Sequence, residues 1–371
     1  MTYDIAIVGA GIAGASLAAA IGARARVLLL EAEDQPGYHA TGRSAAFWSE
    51  TYGGPGIQPL TSASGPALRG GGYLQPLGSL HIGRASEAAR AQAFLAEFEG
   101  TGVALSRVDP AAHLPGLREG WTVGVWEPSC AYIDVGKLHG DSLAAAKRAG
   151  TTLVTNAGVE RATREGGRWA IETRAGTFAA DLLVNAAGAW ADPLATRAGV
   201  APLGIAAYRR TVVQLRTDPL APEGLPHVSS LAGDFYFKPE AGGRLWLSPH
   251  DETATDPCDA APEELDVAIA MDRFEGVVDW RVAAVERRWA GLRSFAPDRL
   301  PVYGFDRQAP GFFWFAGQGG FGIQTAPAAA MIAASLLTGR ALPDAVAGID
   351  VAAYAPARFT APGSAAGRAG G

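Results

Sequence analysis

The chain has 371 residues, of which 48% are hydrophobic and 18% are charged, and its formal net charge is −6. This length suits two lobes that each bury an interior, and the composition is that of a folded protein. The negative charge argues against a nucleic-acid-binding surface.

Cys130 and Cys258 are the two cysteines, and neither has a metal-ligand or CxxC spacing around it. We therefore expect no metal site, no disulfide framework and a reducing, cytoplasmic compartment. The apolar run over 5–21 lacks the basic start of a signal peptide, and no run is long enough for a transmembrane segment.

The chain begins with the pattern of a nucleotide-binding β-α-β unit. YDIAIVGAGIAGASLAAAIG predicts a buried strand over 3–8, a glycine turn and a helix over about 12–23, and RVLLLE predicts a second strand. Gly9 allows the tight turn, Gly11 lets the backbone approach a pyrophosphate at the helix N-terminus, and Gly14 allows close packing. Glu31 ends the second strand, where a carboxylate accepts hydrogen bonds from an adenosine ribose. These features predict a dinucleotide site.

The segment GYHATGRSAAFWSETYG, residues 37–53, favours FAD over NAD. An NAD dehydrogenase usually continues with further β-α-β units, whereas this segment has the character of one that lies along a ligand. Arg43 and Ser44, with Thr41, are suited to bond a phosphate or the flavin edge, and Ala45 and Ala46 are small enough to let a flat ring approach. The alternative is an alanine-rich helix start capped by Thr41.

Strands and helices are mixed in the rest of the chain. GSLHIGR (78–84) and VGVWEPS predict strands, with a helix ending at Gly100 between them and another over 135–149. Three strands follow, the last of which, LLVNAAG, runs into a glycine turn and the helix AWADPLATRAG. Residues 207–295 are mostly strand-like and predict a second, largely antiparallel lobe. A buried strand, a glycine-rich turn and a helix over about 325–337 follow, and residues beyond Ala355 predict a disordered tail.

Five motifs together resemble the D-amino-acid oxidase superfamily of FAD-dependent amine oxidoreductases, with the greatest likeness to the bacterial D-arginine dehydrogenase type. They are IVGAGIAGAS, YHATGRSAA, LLVNAAGAWAD, WAGLRSFAPDRLPVYG and GQGGFGIQTA, and they extend to about residue 340 in the same order. The resemblance implies a mixed α/β (α+β) fold, with a Rossmann-like FAD-binding lobe of discontinuous segments and a largely antiparallel β-sheet substrate lobe. We assign 1–80, 135–205 and 296–350 to the FAD-binding lobe, 81–134 and 206–295 to the substrate lobe, and 356–371 to the disordered tail.

The resemblance also implies which residues contact FAD. The ADP half would lie against the glycine turn and Glu31, the flavin against the segment 43–46, and its pyrimidine end against the turn 319–324. The full predicted set is Gly9, Gly11, Ile12, Ala13, Gly14, Glu31, Ala32, Arg43, Ser44, Ala45, Ala46, Val159, Ala187, Gly188, Trp190, Gly319, Gly320, Phe321, Gly322, Ile323 and Gln324. No cysteine occurs in GLRSFAPDRLPVYG, where some amine oxidases attach flavin, so we expect non-covalent FAD.

Arginine and tyrosine hold the substrate carboxylate in the resembling family. Arg293 is the main candidate, because its guanidinium fork can bind a carboxylate through two parallel hydrogen bonds. Arg209 and Arg210 would face opposite sides of a strand, and we choose Arg210 as the inward residue. Tyr52 and Tyr236 match tyrosines that close over the substrate. For each arginine the alternative is a surface ion pair.

The resemblance implies hydride transfer from Cα to flavin N5, which gives an imino acid and then a keto acid and ammonia. Arginine-selective relatives carry a glutamate in the strand that matches GSLHIGR, whereas Leu80 is assigned to that position here, and they carry a histidine where Phe47 stands. We therefore expect an uncharged, hydrophobic or aromatic D-amino acid or amine as substrate. Phe47, Trp48 and Tyr52 would shape the substrate mouth, although both of the first two aromatics suit a core equally well.

Two other functions stay open on the sequence. An FAD-dependent dehydrogenase of 2-hydroxy acids or polyol phosphates would use the same arginines, and a redox flavoprotein could act on a tethered biosynthetic substrate. The sequence does not distinguish oxygen from a quinone or another carrier as the electron acceptor, and it leaves the oligomeric state open.

Overall fold

The structure is a computed structural model, and it describes residues 2–359. In chain order its strands are β1 (Thr2–Val8), β2 (Val27–Leu30), β3 (Phe47–Trp48), β4 (Leu74–Pro76), β5 (Ser79–Gly83), β6 (Ser106–Val108), β7 (Val123–Glu127), β8 (Ala131–Ile133), β9 (Thr152–Val154), β10 (Val159–Glu165), β11 (Arg168–Thr173), β12 (Gly176–Asn185), β13 (Ala206–Asp218), β14 (His227–Ser230), β15 (Tyr236–Glu240), β16 (Arg244–Ser248), β17 (Thr253–Thr255), β18 (Arg281–Phe295), β19 (Val302–Phe305) and β20 (Phe312–Ala316). Its α-helices are α1 (Ile12–Ile21), α2 (Gln58–Gly70), α3 (Ala88–Glu97), α4 (Val135–Arg148), α5 (Ala191–Arg197), α6 (Glu264–Glu275) and α7 (Gly322–Thr338). Among these residues, no helix is both long and apolar enough to cross a membrane.

The first sheet has a parallel centre of five strands in the order β20-β12-β1-β2-β9. The strands β1, β2 and β20 are apolar runs buried along most of their length, as expected of a parallel sheet covered on both faces. Helices α1 and α7 pack together on one face, and α5 packs on the other with the hairpin β10-β11. This arrangement brings the carboxyl ends of β1 and β2 to one edge, where α1 begins.

Two helices differ in their bounds from the sequence-based expectation. Helix α1 ends at Ile21, because Gly22 has a φ of 59° and the chain continues as a 3₁₀ turn over 22–24. Helix α7 begins at Gly322, three residues before the predicted start at Thr325. The last part of the glycine-rich stretch is therefore the first turn of α7.

The second sheet has nine strands and is antiparallel except where β5 pairs with β14. Its two longest strands, β13 and β18, pair along their whole length, and α6 packs beside them. A separate three-stranded sheet has the order β3-β8-β4. The mixed α/β fold class, with a largely antiparallel second sheet, is confirmed.

The two larger sheets are built from alternating parts of the chain. The first takes its strands from 2–30, 152–185 and 302–316, and the second from 79–127 and 206–295. The exact lobe boundaries stay a prediction.

The tail predicted to be disordered over 356–371 does not begin at residue 356. Residues 356–359 form a 3₁₀ helix, and Pro356 is buried. Arg358 fixes this turn, because its guanidinium donates to Asp298 at 2.6 Å and to the carbonyl oxygen of Leu300 at 2.9 Å. The rest of the predicted tail, 360–371, lies outside the described residues.

Candidate active site

A cavity of about 650 Å³ lies between the first and second sheets. Its wall is formed by the glycine turn after β1, the ends of β2 and β12, the segment 37–45, strands β13 and β18, and the turn before α7. Its volume is within the range of about 300–1,000 Å³ that is usual for ligand pockets. The cavity therefore has the place and size of a ligand site.

The glycine turn brings backbone to the cavity edge. Gly9 has a φ of 104°, and a Cβ added there would lie 2.4 Å from the carbonyl oxygen of Ala186, so only glycine fits. Gly11 precedes α1 without a capping side chain, and the hydroxyl of Thr41 instead accepts a 3.0 Å hydrogen bond from the N–H of Ile12. An added Cβ at Gly14 would lie 1.8 Å from the carbonyl oxygen of Gly9, so Gly14 allows the helix to pack on the turn.

Glu31 is fixed at the end of β2, beside the same turn. Its carboxylate accepts hydrogen bonds from the N–H groups of Ala10 at 2.9 Å and Ala32 at 2.8 Å, and from that of Glu33 at 3.2 Å. A carboxylate has about four acceptor positions, so capacity remains for a ligand hydroxyl. Glu31 lines the cavity, as predicted for an acid that contacts the ribose.

Most of the predicted cofactor and substrate residues line this cavity. They are Gly9, Gly11, Ile12, Ala13, Glu31, Ala32, Arg43, Ser44, Ala45, Val159, Ala187, Gly188, Trp190, Arg210, Tyr236, Arg293, Gly319, Gly320, Gly322 and Ile323. Ala46, Tyr52 and Gln324 instead line a small adjoining cavity of about 20 Å³, which shares Tyr236 and Arg293 with the large one.

Two residues predicted to contact the cofactor reach neither cavity. Gly14 lies where α1 packs against the glycine turn. Phe321 packs in a core with Ile57 and Phe295 and stands edge-on to the ring of Tyr52. Both residues therefore take part in the packing next to the cavities and not in their lining.

The guanidinium of Arg43 is bonded within the protein. It donates to the carbonyl oxygens of Ala260 at 2.9 Å and Ala290 at 3.3 Å, and it pairs with Asp259. This hydrogen bond from Arg43 holds the pKa of the Asp259 carboxyl below its ordinary value. The predicted bond from Arg43 to a phosphate or flavin would have to compete with these contacts.

Arg293 is a partly buried cation that faces the cavity. Its Nη1 donates a 2.6 Å hydrogen bond to the hydroxyl of Tyr52, and no carboxylate of residues 2–359 forms an ion pair with it. Burial lowers the pKa of Arg293, but the hydroxyls of Tyr52 and Tyr236 and the more distant carboxylates outweigh burial and raise it overall. Arg293 is therefore a fully charged group that lacks a counter-charge in direct contact.

Arg210 enters the same end of the cavity from β13. Its Nε donates to the carbonyl oxygen of Asp251 at 2.6 Å and its Nη2 donates to Glu252 at 2.9 Å, whereas its Nη1 is buried without a partner. Burial and the positive charge of Arg293 lower the pKa of Arg210 to about 10, so it remains a cation at neutral pH. Arg209 does not line the cavity and pairs with Glu263 and Asp266.

Aromatic rings cluster at the end of the cavity where Arg293 and Tyr52 lie. The ring centroid of Phe47 lies 5.1 Å from that of Tyr52, 5.9 Å from that of Tyr236 and 4.2 Å from that of His227. Burial, together with the nearby His81 and Lys238, lowers the pKa of His227 far below its ordinary value, so this imidazole is neutral. The aromatic cluster beside Arg293 is therefore uncharged.

Two substrate-site expectations are wrong. Trp48 lies on the opposite face of β3, packed with Ile12 and Leu68, because consecutive residues of a strand point to opposite faces. For the same reason Leu80 points into the core of the second lobe, fully buried. Its neighbour on β5, Ser79, lies on the other face of the strand and has its hydroxyl 2.9 Å from Nδ1 of His227.

Sequence reasoning missed two polar residues of the site. Gln318 lines the cavity, and its Nε2 is buried without a partner while its Oε1 accepts from Tyr303 at 2.9 Å. Glu127 lies behind Tyr52 and is fully buried. A carboxylate at the end of the apolar strand VGVWE is unusual, and that was the available signal for Glu127.

The residues of the cavity fit FAD along its length. The N-terminus of α1 offers backbone N–H groups to a pyrophosphate, Glu31 offers a carboxylate to a ribose, and Ala45 leaves room for a flat ring. The unpartnered Nε2 of Gln318 is a hydrogen-bond donor for the ring edge.

The family profile described as FAD-dependent oxidoreductase (DAO) matches residues 4–336. A D-amino acid dehydrogenase of Cereibacter sphaeroides is 32% identical over 228 residues, which cover 59% of this chain and 48% of the relative. The chain spans about half or less of the length of the first curated relatives it matches.

Two solved structures cover nearly the whole chain. The glycine oxidase from Geobacillus kaustophilus has a TM-score of 0.81 and 25% identity, over 95% of this chain and 98% of that one. The L-proline dehydrogenase from P. horikoshii has a TM-score of 0.84 and 21% identity, over 96% and 98% of the two chains, and this likeness concerns the fold alone. The family match, the glycine turn, Glu31 and the cavity agree: the chain belongs to the DAO family of FAD-dependent oxidoreductases, and FAD is its cofactor.

Proposed function

We propose that this protein oxidises an uncharged, hydrophobic or aromatic D-amino acid to an imino acid, from which water releases a 2-oxo acid and ammonia. One observation carries the proposal: Arg293 is a partly buried cation without an ion-pair partner among residues 2–359, at the point where the cavity meets Tyr52 and Tyr236. Burying a charge without a counter-charge is unfavourable, so the site is built to receive an anion.

The donors around Arg293 suit a carboxylate. A guanidinium binds a carboxylate through two parallel hydrogen bonds. The buried Nη1 of Arg210 and hydroxyl of Tyr236 are further donors without a partner. Since Arg210 already pairs with Glu252, the site carries one uncompensated positive charge, and we expect a substrate with one carboxylate.

The end of the large cavity that adjoins the small one supports an uncharged side chain. The small cavity is lined by Phe47, Tyr52, Tyr236, Arg293, Ile323 and Gln324 with small residues, and this lining includes no carboxylate. A substrate guanidinium or ammonium bound there would lose its hydration without gaining a counter-charge. D-Arg and D-Lys should therefore be poor substrates.

The protein groups orient the substrate and exclude water from it. When bound, FAD supplies the two-electron oxidation of the Cα–N bond to an imine. Arg293 and Arg210 fix the carboxylate, Tyr52 keeps the Arg293 fork in place, and the aromatic wall shields the reacting carbon from solvent. The D configuration is supported by the 32% identity to a D-amino acid dehydrogenase.

The test is the visible spectrum of the holoenzyme under anaerobic conditions, before and after addition of separate pools of D- and L-amino acids. We expect the D pool to bleach the flavin band and to release one ammonia for each flavin reduced. Bleaching by 2-hydroxy acids or polyol phosphates without ammonia would overturn the proposal in favour of the alcohol dehydrogenase alternative. A flavin that no free small molecule bleaches would favour a tethered substrate. Where a substrate does bleach the flavin, peroxide formation on re-oxidation with air would identify oxygen as the electron acceptor.

A further inference from the structure

Glu127 is a fully buried carboxylate at the end of β7. It accepts hydrogen bonds from three consecutive residues of the segment before Tyr52: from the hydroxyl of Ser49 at 2.9 Å, the N–H of Glu50 at 2.7 Å and the hydroxyl of Thr51 at 2.7 Å. Its other neighbours are Nε2 of His81 at 3.5 Å and the hydroxyl of Ser129 at 3.4 Å. One carboxylate therefore accepts a hydrogen bond from each residue of segment 49–51.

The carboxylate of Glu127 is ionised at neutral pH. Burial raises its pKa, but the contact with His81 and the hydrogen bonds from Thr51 and Ser49 outweigh burial and lower it overall. Hydrogen bonds to an ionised acceptor are stronger than those between neutral groups. The segment 49–51 is thus attached to β7 by strong hydrogen bonds rather than by apolar packing alone.

Gln324, in the first turn of α7, holds the same segment from the other side. Its Oε1 accepts from the N–H of Ser49 at 3.3 Å, and its Nε2 donates to the carbonyl oxygen of Tyr52 at 3.1 Å and to the hydroxyl of Thr61 at 2.9 Å. Both ends of the amide are bonded within the protein, and the contact of Gln324 with the flavin stays a prediction. Glu127 and Gln324 together hold both ends of segment 49–52.

Segment 49–52 ends at the side chain that meets the substrate arginine. The hydroxyl of Tyr52 accepts the 2.6 Å hydrogen bond from Nη1 of Arg293. A Cβ added at Gly320 would lie 2.4 Å from that hydroxyl, so the hydroxyl lies close against the turn before α7. Because Tyr52 directly follows residues 49–51, a displacement of these residues would move its hydroxyl relative to Arg293.

We propose that Glu127 is a positioning residue for the carboxylate site: by anchoring residues 49–51 to β7, it keeps the hydroxyl of Tyr52 on the guanidinium of Arg293 and so sets the affinity for the substrate carboxylate. This inference rests on the proposed function, because it assigns Arg293 and Tyr52 to a carboxylate. Glu127 itself touches neither cavity lining, so its effect is transmitted through Tyr52.

The test uses the holoenzyme and benzoate, an aromatic carboxylate without an oxidisable amine. Benzoate is titrated into the wild type, Glu127→Gln, Tyr52→Phe and the double variant, and the dissociation constant is read from the change in the flavin spectrum. We expect Glu127→Gln to weaken benzoate binding by about tenfold or more, and to have little further effect in the Tyr52→Phe background. Additive effects of the two substitutions would overturn the proposal, because they would mean that Glu127 does not act through Tyr52.

A matched control separates positioning from general damage. Asp192 is another partly buried carboxylate that organises a loop, since it accepts from the N–H groups of Leu203, Gly204 and Ile205 at 3.2, 2.8 and 2.8 Å. Asp192→Asn should lower the unfolding temperature without changing the benzoate dissociation constant by more than about twofold. Equal weakening by Asp192→Asn and Glu127→Gln would overturn the positioning role. If Glu127→Gln fails to fold, Thr51→Val, which removes one of its three donors on the segment, serves in its place with a smaller expected weakening.

Hydrogen–deuterium exchange makes the test independent of the proposed function. Glu127→Gln should speed amide exchange over residues 49–54 and leave α1 unchanged, whether or not benzoate binds. Unchanged exchange at 49–54 would overturn the proposal. Failure of the wild type to bind benzoate, together with faster exchange in the variant, would refute the carboxylate site while supporting the anchoring of this segment by Glu127.

Discussion

The Nη1 of Arg293 donates a 2.6 Å hydrogen bond to the hydroxyl of Tyr52, joining residues 241 positions apart in the chain. Arg293 comes from β18 of the second sheet, and Tyr52 follows the segment that crosses from the first sheet. The bond fixes one arm of the guanidinium fork and leaves its other N–H groups for a ligand. The tyrosine therefore contributes to the orientation of the arginine as well as to the wall of the pocket.

Tyr52→Phe should weaken the binding of the substrate carboxylate. A hydrogen bond that involves a charged group contributes about 1.5–3 kcal/mol, so we expect KM and the benzoate dissociation constant to rise about tenfold or more. The matched control is Tyr73→Phe, which removes an exposed hydroxyl bonded to Asp141 at 3.0 Å and should leave both constants unchanged. An unchanged KM in Tyr52→Phe would contradict the role of this bond.

Gly320→Ala should disturb the same pair from the opposite side. The added methyl would lie 2.4 Å from the Tyr52 hydroxyl and 3.0 Å from Nη1 of Arg293, and both atoms are ends of side chains that can move away. We expect a rise in KM of about tenfold, comparable to the loss of the hydrogen bond, with the FAD spectrum retained.

The control for Gly320→Ala is Gly140→Ala in α4, where an added Cβ meets no atom within 4 Å. This control should raise the free energy of unfolding by about 0.5–1 kcal/mol and leave KM unchanged. A wild-type KM in Gly320→Ala would show that the pocket has more room than the structure indicates.

Glu31→Gln should weaken FAD binding without unfolding the protein. The carboxylate accepts backbone N–H groups from Ala10 and Ala32 through different oxygens, and a glutamine would place its NH₂ group against one of these donors. A hydrogen bond to a charged acceptor contributes about 1.5–3 kcal/mol and the variant offers a ribose hydroxyl no charged acceptor, so the FAD dissociation constant, measured by flavin fluorescence on dilution, should rise about tenfold. Glu165→Gln, at the exposed end of β10, should retain wild-type affinity.

His250 should make the protein sensitive to acid. Burial and the positive charges of Arg210 and Arg293 lower the pKa of His250 to about 3 from its ordinary value of 6.5. Between these values the unfolded chain binds more protons than the folded protein, so the free energy of unfolding should fall as the pH is lowered from 6.5 towards 3.

The test compares urea unfolding of the wild type and His250→Asn at pH 7 and pH 4. Asparagine tolerates the positive φ of 55° at this position and does not gain a proton in this range. We expect the variant to lose less stability between the two pH values than the wild type does. Equal losses would contradict the assignment of this pH dependence to His250.

The first β-α-β unit could be predicted because its signals are local. The strand, the glycines at 9, 11 and 14, the helix and Glu31 all lie within the first 31 residues, and each has a direct physical role. The start of α7 was predicted too late, since the glycines before Thr325 argued for a turn, whereas packing against α2 extends the helix to Gly322. The predicted start of the disordered tail was wrong, because an ion pair with Asp298, distant in sequence, orders the turn at Arg358.

The placement of Arg210 beside Arg293 could be predicted from the sequence, while its role toward a substrate stays a prediction. Alternation along β13 separates Arg210 from Arg209, and the structure places Arg210 in the cavity. The same alternation places Trp48 and Leu80 away from it, which the sequence alone could not decide without the register of their strands. The position of Glu127 at the end of an apolar strand was a signal in the sequence, but its role was not, because its partners on segment 49–51 lie more than 70 positions earlier in the chain.

The segment 37–53 contacts both larger sheets. Thr41 bonds to the start of α1, while the carbonyl oxygen of Arg43 accepts a 3.0 Å hydrogen bond from Nε1 of Trp289 in β18. A cofactor held along this segment would bind the folded protein and not the unfolded chain, so by mass action FAD at 100 times its dissociation constant should add about 2.7 kcal/mol to stability. Removal of FAD should therefore lower the unfolding temperature. It should also make the parts of the chain that form the two larger sheets unfold less cooperatively, which differential scanning calorimetry would record as a broadened or divided transition.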